Sequence, residues 1–65
     1  MNSSVQIISV TAIYQNSEIG YGEGESLSYA IDDCIASISP IFEGEKVTLS
    51  ILENDNLRQV KGWTI

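Results

Sequence analysis

The chain has 65 residues, of which 43% are apolar, and nine acidic against three basic side chains give it a net charge of −6. One cysteine and the absence of histidine exclude an internal disulfide and argue against a structural zinc site. This composition predicts one small folded domain in the cytoplasm, with no segment long and apolar enough to cross a membrane.

The acidic side chains are concentrated in the middle of the chain. Residues 18–45 contain seven acids and no base, whereas residues 46–65 carry a net charge of +1. Such a segment repels itself in any compact state, so its charge serves either solubility or a basic partner. Direct binding of nucleic acid is not expected, because phosphate contacts require clustered lysine and arginine.

The first half of the chain predicts two neighbouring strands. Val5–Tyr14 is rich in β-branched residues, and both of its faces are largely apolar, which indicates a central strand or one covered by another copy. Turn residues 15–18 lead to a second strand over residues 19–23. Three alternating glycines share one face of it: Gly20, Gly22 and Gly24. They predict either a close approach by a helix or backbone, or a bulge in this strand.

A helix is predicted next, with Ser26 as its N-cap and Ser39-Pro40 as its end. Its apolar residues recur at helical spacing: Leu27, Ala30, Ile31, Cys34, Ile35 and Ile38. This stripe predicts that the helix packs on one face of the sheet.

Two further strands are predicted at the end of the chain, Val47–Ile51 and Leu57–Ile65, joined by a turn at residues 53–56. A four-residue loop would pair Leu49 with Val60 and Val47 with Gly62 on the buried face, and Thr48 with Lys61 and Lys46 with Trp63 on the outer face. The order ββαββ predicts an α+β domain with one helix packed on a four-stranded, mainly antiparallel sheet.

No catalytic, cofactor or metal site is predicted. Cys34 lies on the apolar stripe without a histidine to activate it, and Asp32 and Asp33 would point about 100° apart on a helix. The glycines around Tyr21 match no phosphate-binding spacing, and Glu23 and Glu25 would repel a phosphate. A cation held by Glu23, Glu25, Glu43 and Glu45 is a weaker alternative without calcium-loop spacing.

The polar face of the helix predicts contact with a larger protein. Asp32 and Asp33 lie beyond the first helical turn without a base at i±4, so they do not stabilise the helix. Either this face is simply solvated or it binds a basic site. The predicted contact residues are Tyr21, Glu23, Glu25, Tyr29, Asp32 and Asp33, with a tyrosine as the anchor.

The alternative interpretation is self-assembly into a homodimer or higher oligomer. A small core favours oligomerisation, and the oligomer could hold a small ligand between its subunits. The two-faced first strand, ending at Tyr14, and an outer-face Trp63 would supply the contacts.

The helix entry resembles that of HicB-type antitoxins, whose pattern is G-[DE]-T-L-x-E-A-L. Here the matching stretches are Gly24-Glu25-Ser26-Leu27 and Ala30-Ile31-Asp32, within about a dozen residues. The chain lacks that family's proline-containing segment before the helix and its DNA-binding extension. Its size and acidity are also similar to those of phage and mobile-element proteins that inhibit host enzymes. The prediction is therefore a non-catalytic inhibitor or antitoxin-like binder.

Overall fold

One antiparallel four-stranded sheet and one helix form the fold of residues 6–65, the part of the chain that the computed structural model describes. The elements are β1 (Ile8–Tyr14), β2 (Ser17–Gly24), α1 (Leu27–Ala36), a 3₁₀ turn (Pro40–Phe42), β3 (Lys46–Glu53) and β4 (Asn56–Thr64). The sheet order is β2-β1-β3-β4. The predicted ββαββ, α+β architecture is confirmed. Val5 and the preceding polar residues 1–4 lie outside the described residues.

The core lies between α1 and one face of the sheet. β1 is central, as predicted, and alternates between buried residues facing α1 and half-buried Ser9, Thr11 and Ile13 on the other face. The buried set is Ile8, Val10, Ala12, Ala30, Cys34, Ile38, Val47, Leu49 and Ile51. Within the described chain no element covers the second face of the sheet, which we call the open face.

Both hairpins turn through two residues with positive φ. Gln15 and Asn16 connect β1 to β2 with φ of 50° and 67°, and Asn54 and Asp55 connect β3 to β4 with φ of 54° and 65°. Two consecutive left-handed residues are typical of the type I′ turn, whose twist matches that of the flanking strands.

The glycines of β2 let α1 pack directly on its backbone. A Cβ added to Gly22 would lie 2.6 Å from the Cα of Cys34 and 2.7 Å from the carbonyl oxygen of Ala30. Gly20 and Gly24 face the same helix. The predicted close approach is therefore confirmed, and β2 also has a bulge, at Ile19, where its pairing with β1 shifts register.

The predicted register of the second hairpin is correct near the turn and wrong beyond it. Leu49 pairs with Val60, but Val47 lies opposite Trp63 rather than Gly62, and Lys46 lies opposite Thr64. Gly62, with φ of 75°, is part of a bulge that places both Lys61 and Gly62 across from Thr48. One extra residue reverses the faces of all that follow, so Trp63 lies on the helix side of the sheet.

Candidate functional site

An open groove runs along the outer side of α1, where the helix meets β2 at the edge of the sheet. Its walls are Glu23, Gly24, Glu25, Ser26, Tyr29, Asp32, Asp33 and Ala36. Five of the six predicted contact residues therefore lie together here, and Tyr21 is the exception.

The start of α1 fixes the orientation of the groove. Ser26 caps the helix as predicted, and its Oγ accepts a hydrogen bond of 3.3 Å from the backbone N–H of Tyr29. Helical spacing then places Tyr29, Asp32 and Asp33 on the side turned away from the core. Tyr29 leaves 72% of its surface exposed, which is unusual for a large aromatic residue.

One side chain of α1 and the side chain of its C-cap residue cap the free edge of β2. Asp33 Oδ2 accepts a hydrogen bond of 3.1 Å from the backbone N–H of Glu23. Ser37 Oγ accepts one of 2.9 Å from the N–H of Tyr21 and donates one of 2.7 Å to the carbonyl of Cys34. An exposed strand edge otherwise offers such amides for pairing with another chain. Asp33 is thus partly structural. Ser37, which lies four residues later at the C-cap of the helix, was not predicted from the sequence.

Tyr21 lies on the open face of the sheet, although it neighbours the groove in sequence. Its hydroxyl donates to Glu23 Oε2 at 2.6 Å and lies 3.2 Å from Ser9 Oγ. The hydrogen bond to Glu23 is the main reason that the pKa of Tyr21 is raised, because it stabilises the protonated phenol. The Glu23 carboxylate is therefore held by Tyr21 and is less available to a partner.

Glu25 and Asp32 are the free acids of the groove. Both are exposed, and neither forms a hydrogen bond or ion pair within residues 6–65. In the described chain the one salt bridge joins Arg58 Nη2 to Glu53 Oε1 at 3.8 Å, in the β3–β4 hairpin. The groove therefore carries negative charge without a neighbouring cation from the described residues.

The two residues predicted for self-association make contacts inside the fold. Tyr14 stacks edge-on against Phe42 at a ring-centroid distance of 5.3 Å, and its hydroxyl donates to Glu45 Oε1 at 3.3 Å. The negative charge of Glu45 is the largest cause of the raised pKa of Tyr14. Trp63 is half-buried and packs against the core, so the prediction of an exposed outer-face tryptophan near Lys46 is wrong.

The thiol of Cys34 and the carboxylates are the described groups that catalysis or metal binding would use. Cys34 is fully buried, and desolvation is the largest cause of the raised pKa of its thiol, which keeps it protonated. No group of three potential metal ligands comes together in the described ranges. Glu23 pairs with Ser9 near one end of β1, and Glu45 contacts Tyr14 at the other end. The two carboxylates therefore cannot share an ion. None of the helices in residues 6–65 combines the length and apolarity needed to traverse a bilayer.

Comparison of the chain with protein-family models, curated proteins and solved structures gives no match. The resemblance of residues 24–32 to the helix entry of HicB-type antitoxins is therefore a local likeness without support from the rest of the chain.

Proposed function

We propose that the protein is a small non-catalytic binding module whose acidic groove receives a basic site of a larger protein. The observation that carries the proposal is the pair of exposed, unpartnered carboxylates of Glu25 and Asp32 beside the exposed ring of Tyr29.

Intramolecular stability does not explain the position of these charges. Asp32 lies in the middle of α1, where neither the helix dipole nor a base at i±4 stabilises it, since Ser28 and Ala36 occupy those positions. Clustered acids without counter-charges oppose folding by mutual repulsion. A basic partner would relieve that repulsion and would be attracted from a distance, which raises the association rate.

The groove combines fixed and free groups. Asp33 is held by the amide of Glu23, whereas the carboxylate of Glu23 is bound to Tyr21 on the open face of the sheet. Glu25 and Asp32 remain free to pair with arginine or lysine. Tyr29 supplies the large, rigid aromatic surface that anchors many protein interfaces.

An inhibitor or antitoxin-like role in the cytoplasm is the form of this function that we favour. Acidic groups of such a module would occupy a basic site of an enzyme or toxin and block it. The small size of the domain and its charge of −6 support this role, since a large electrostatic field accelerates capture of a basic target.

Charge neutralisation in the groove tests the proposal. The target is isolated from the native cell with the wild-type protein as bait, and its affinity for purified variants is measured by titration calorimetry at low and high salt. We expect the double substitution Glu25→Gln and Asp32→Asn to weaken binding about tenfold and to flatten its salt dependence.

The matched control is the double substitution Glu18→Gln and Glu43→Gln. It removes the same charge from exposed positions that do not line the groove. Equal effects of the two double variants would contradict the proposal, because the binding would then follow net charge alone.

Substitution Tyr29→Ala tests the anchor. Because the ring is 72% exposed, its removal leaves the core intact, and we expect a loss of binding of about 30-fold, or about 2 kcal/mol. An unchanged dissociation constant would remove Tyr29 from the interface and leave only the charges to be explained.

A further inference from the structure

Within residues 6–65 no other element packs along the edge of the sheet formed by β4. All residues of β4 are exposed except the half-buried Trp63, and α1 lies over β2 and β1 without approaching β4. Because the turn has two residues, Asn56 forms a hydrogen-bonded pair with Glu53. Such pairs alternate along an antiparallel ladder, so the backbone groups of Leu57, Gln59 and Lys61 point outward.

Nothing in the described chain caps these outward groups. The side chains of Asp33 and Ser37 accept the outward amides of β2, whereas no side-chain or loop hydrogen bond within residues 6–65 involves the amides of Leu57, Gln59 or Lys61. The edge lacks proline, and the Gly62 bulge disturbs only its end. A strand edge of this length without such protection is a template for pairing with another strand.

We propose that β4 pairs antiparallel with β4 of a second copy of this chain, with Gln59 on the two-fold axis. This register engages all three outward residues, because Leu57 then lies opposite Lys61 of the second copy and Gln59 lies opposite itself. Shifting the register by two residues would leave one of them without a partner. The product is a continuous eight-stranded sheet.

The distribution of charge favours a second copy as the occupant. Residues 46–65 carry +1 and the remainder carries −7, so pairing through β4 joins the least acidic regions. The acidic β2 edges then lie at opposite ends of the combined sheet, where their repulsion is weakest.

The side chains of β4 also fit this register. Arg58 lies opposite Val60 of the second copy, and Lys61 lies opposite Leu57, so no two cations face each other directly. Val60 is 36% exposed and Leu57 67% exposed in the single chain, and the stems of the two basic side chains would cover part of that apolar surface.

Self-association and the acidic groove should respond to salt in opposite directions. Two copies of net charge −6 repel each other, so salt should strengthen pairing through β4. A basic target bound in the groove should dissociate more readily as salt rises. Failure of one proposal is therefore distinguishable from failure of the other.

Sedimentation equilibrium of the full chain tests the pairing directly. We expect the mass to rise from one to two chains with protein concentration, and the transition to move to lower concentration in high salt. Substitution Gln59→Pro removes one outward amide that β3 does not use, so the sheet should still form, which circular dichroism verifies. The dissociation constant of the dimer should rise at least about tenfold. The control Gln59→Ala keeps the amide and should still dimerise.

Cysteine cross-linking tests the register. In a hydrogen-bonded antiparallel pair the Cα atoms lie about 5.5 Å apart, a separation that a disulfide spans, so the variant Gln59→Cys should form a covalent dimer under mild oxidation. In the control Leu57→Cys the two thiols would be about 13 Å apart along the strands and should not link. Cys34 is fully buried and should not compete.

Three results would overturn the inference. The first is a wild-type chain that stays monomeric up to about 1 mM. This result would overturn the inference even if β4 bound an extended segment of another protein. The second is a Gln59→Pro variant that folds and dimerises like the wild type, which would place the interface on another surface. The third is cross-linking of Leu57→Cys as readily as Gln59→Cys.

Discussion

The two edges of the sheet differ in how their backbone amides are satisfied. At the β2 edge, α1 lies against glycine, and Asp33 and Ser37 accept the outward amides of Glu23 and Tyr21. At the β4 edge no helix of the described chain approaches, and no side chain or loop of residues 6–65 accepts the outward amides. The charge differs as well, since acids lie along β2 whereas β4 carries Arg58 and Lys61.

Close packing of the helix is what allows the chain to cap its own edge. A residue larger than glycine on β2 would push α1 away from the sheet, and short side chains such as serine and aspartate would no longer reach the edge. The glycines therefore close this edge to other strands and at the same time position the acidic groove. No helix of residues 6–65 lies over β4, the strand that we propose pairs with a second copy.

The largest effect is expected from Gly22→Ala. The added methyl would meet the backbone of α1 at Cys34 and Ala30, which has little freedom to move. We expect a loss of about 3 kcal/mol or more, which would leave a domain of this size mostly unfolded in a urea titration.

The control for Gly22→Ala is Gly44→Ala. Gly44 faces open space but has φ of 86°, so the alanine should cost only about 1 kcal/mol through backbone strain. Similar losses for both variants would show that close helix packing is not the critical feature of β2.

Removing an edge cap should have a smaller effect. Substitution Asp33→Ala deletes the acceptor for the amide of Glu23, so we expect a loss of about 1 kcal/mol in the free energy of unfolding. The matched control Asp32→Ala makes the same chemical change on the same helix, where no hydrogen bond is lost, and should lie within about 0.5 kcal/mol of the wild type. Equal values for the two variants would mean that the cap is not stabilising.

The smallest effect concerns the two hairpin turns. Gln15 and Asn54 both have positive φ at the first position of a two-residue turn, but only asparagine is favoured there. Gln15→Asn should raise the free energy of unfolding by about 0.5 kcal/mol, and the reciprocal Asn54→Gln should lower it by a similar amount. If the melting temperatures of the two variants shifted in the same direction, this account of the turns would be contradicted.

Most of the fold follows from periodicity in the sequence. The alternation of Gly20, Gly22 and Gly24 predicts the close helix approach, and the apolar stripe behind Ser26 predicts which face of α1 is buried. Five groove residues were predicted together because helical spacing and their position next to the cap place them on one side.

The errors arise where one residue changes the register or where distant segments meet. The bulge at Gly62 moves Trp63 to the helix side. A glycine inside a strand is a signal of a bulge, but the sequence does not show which residue of the partner strand the extra residue faces. The capping roles of Asp33 and Ser37 depend on the tertiary approach of α1 to β2. Their i, i+4 spacing beside a glycine face is the signal that could have indicated them.

Amide hydrogen exchange at low and high protein concentration tests the difference between the two edges most directly. The amides of Tyr21 and Glu23 should be protected at every concentration, because their acceptors belong to the same chain. Those of Leu57, Gln59 and Lys61 should be protected only at high concentration, when a second copy pairs with β4. Protection of the β4 amides that does not depend on concentration, or rapid exchange of the β2 amides, would contradict the account.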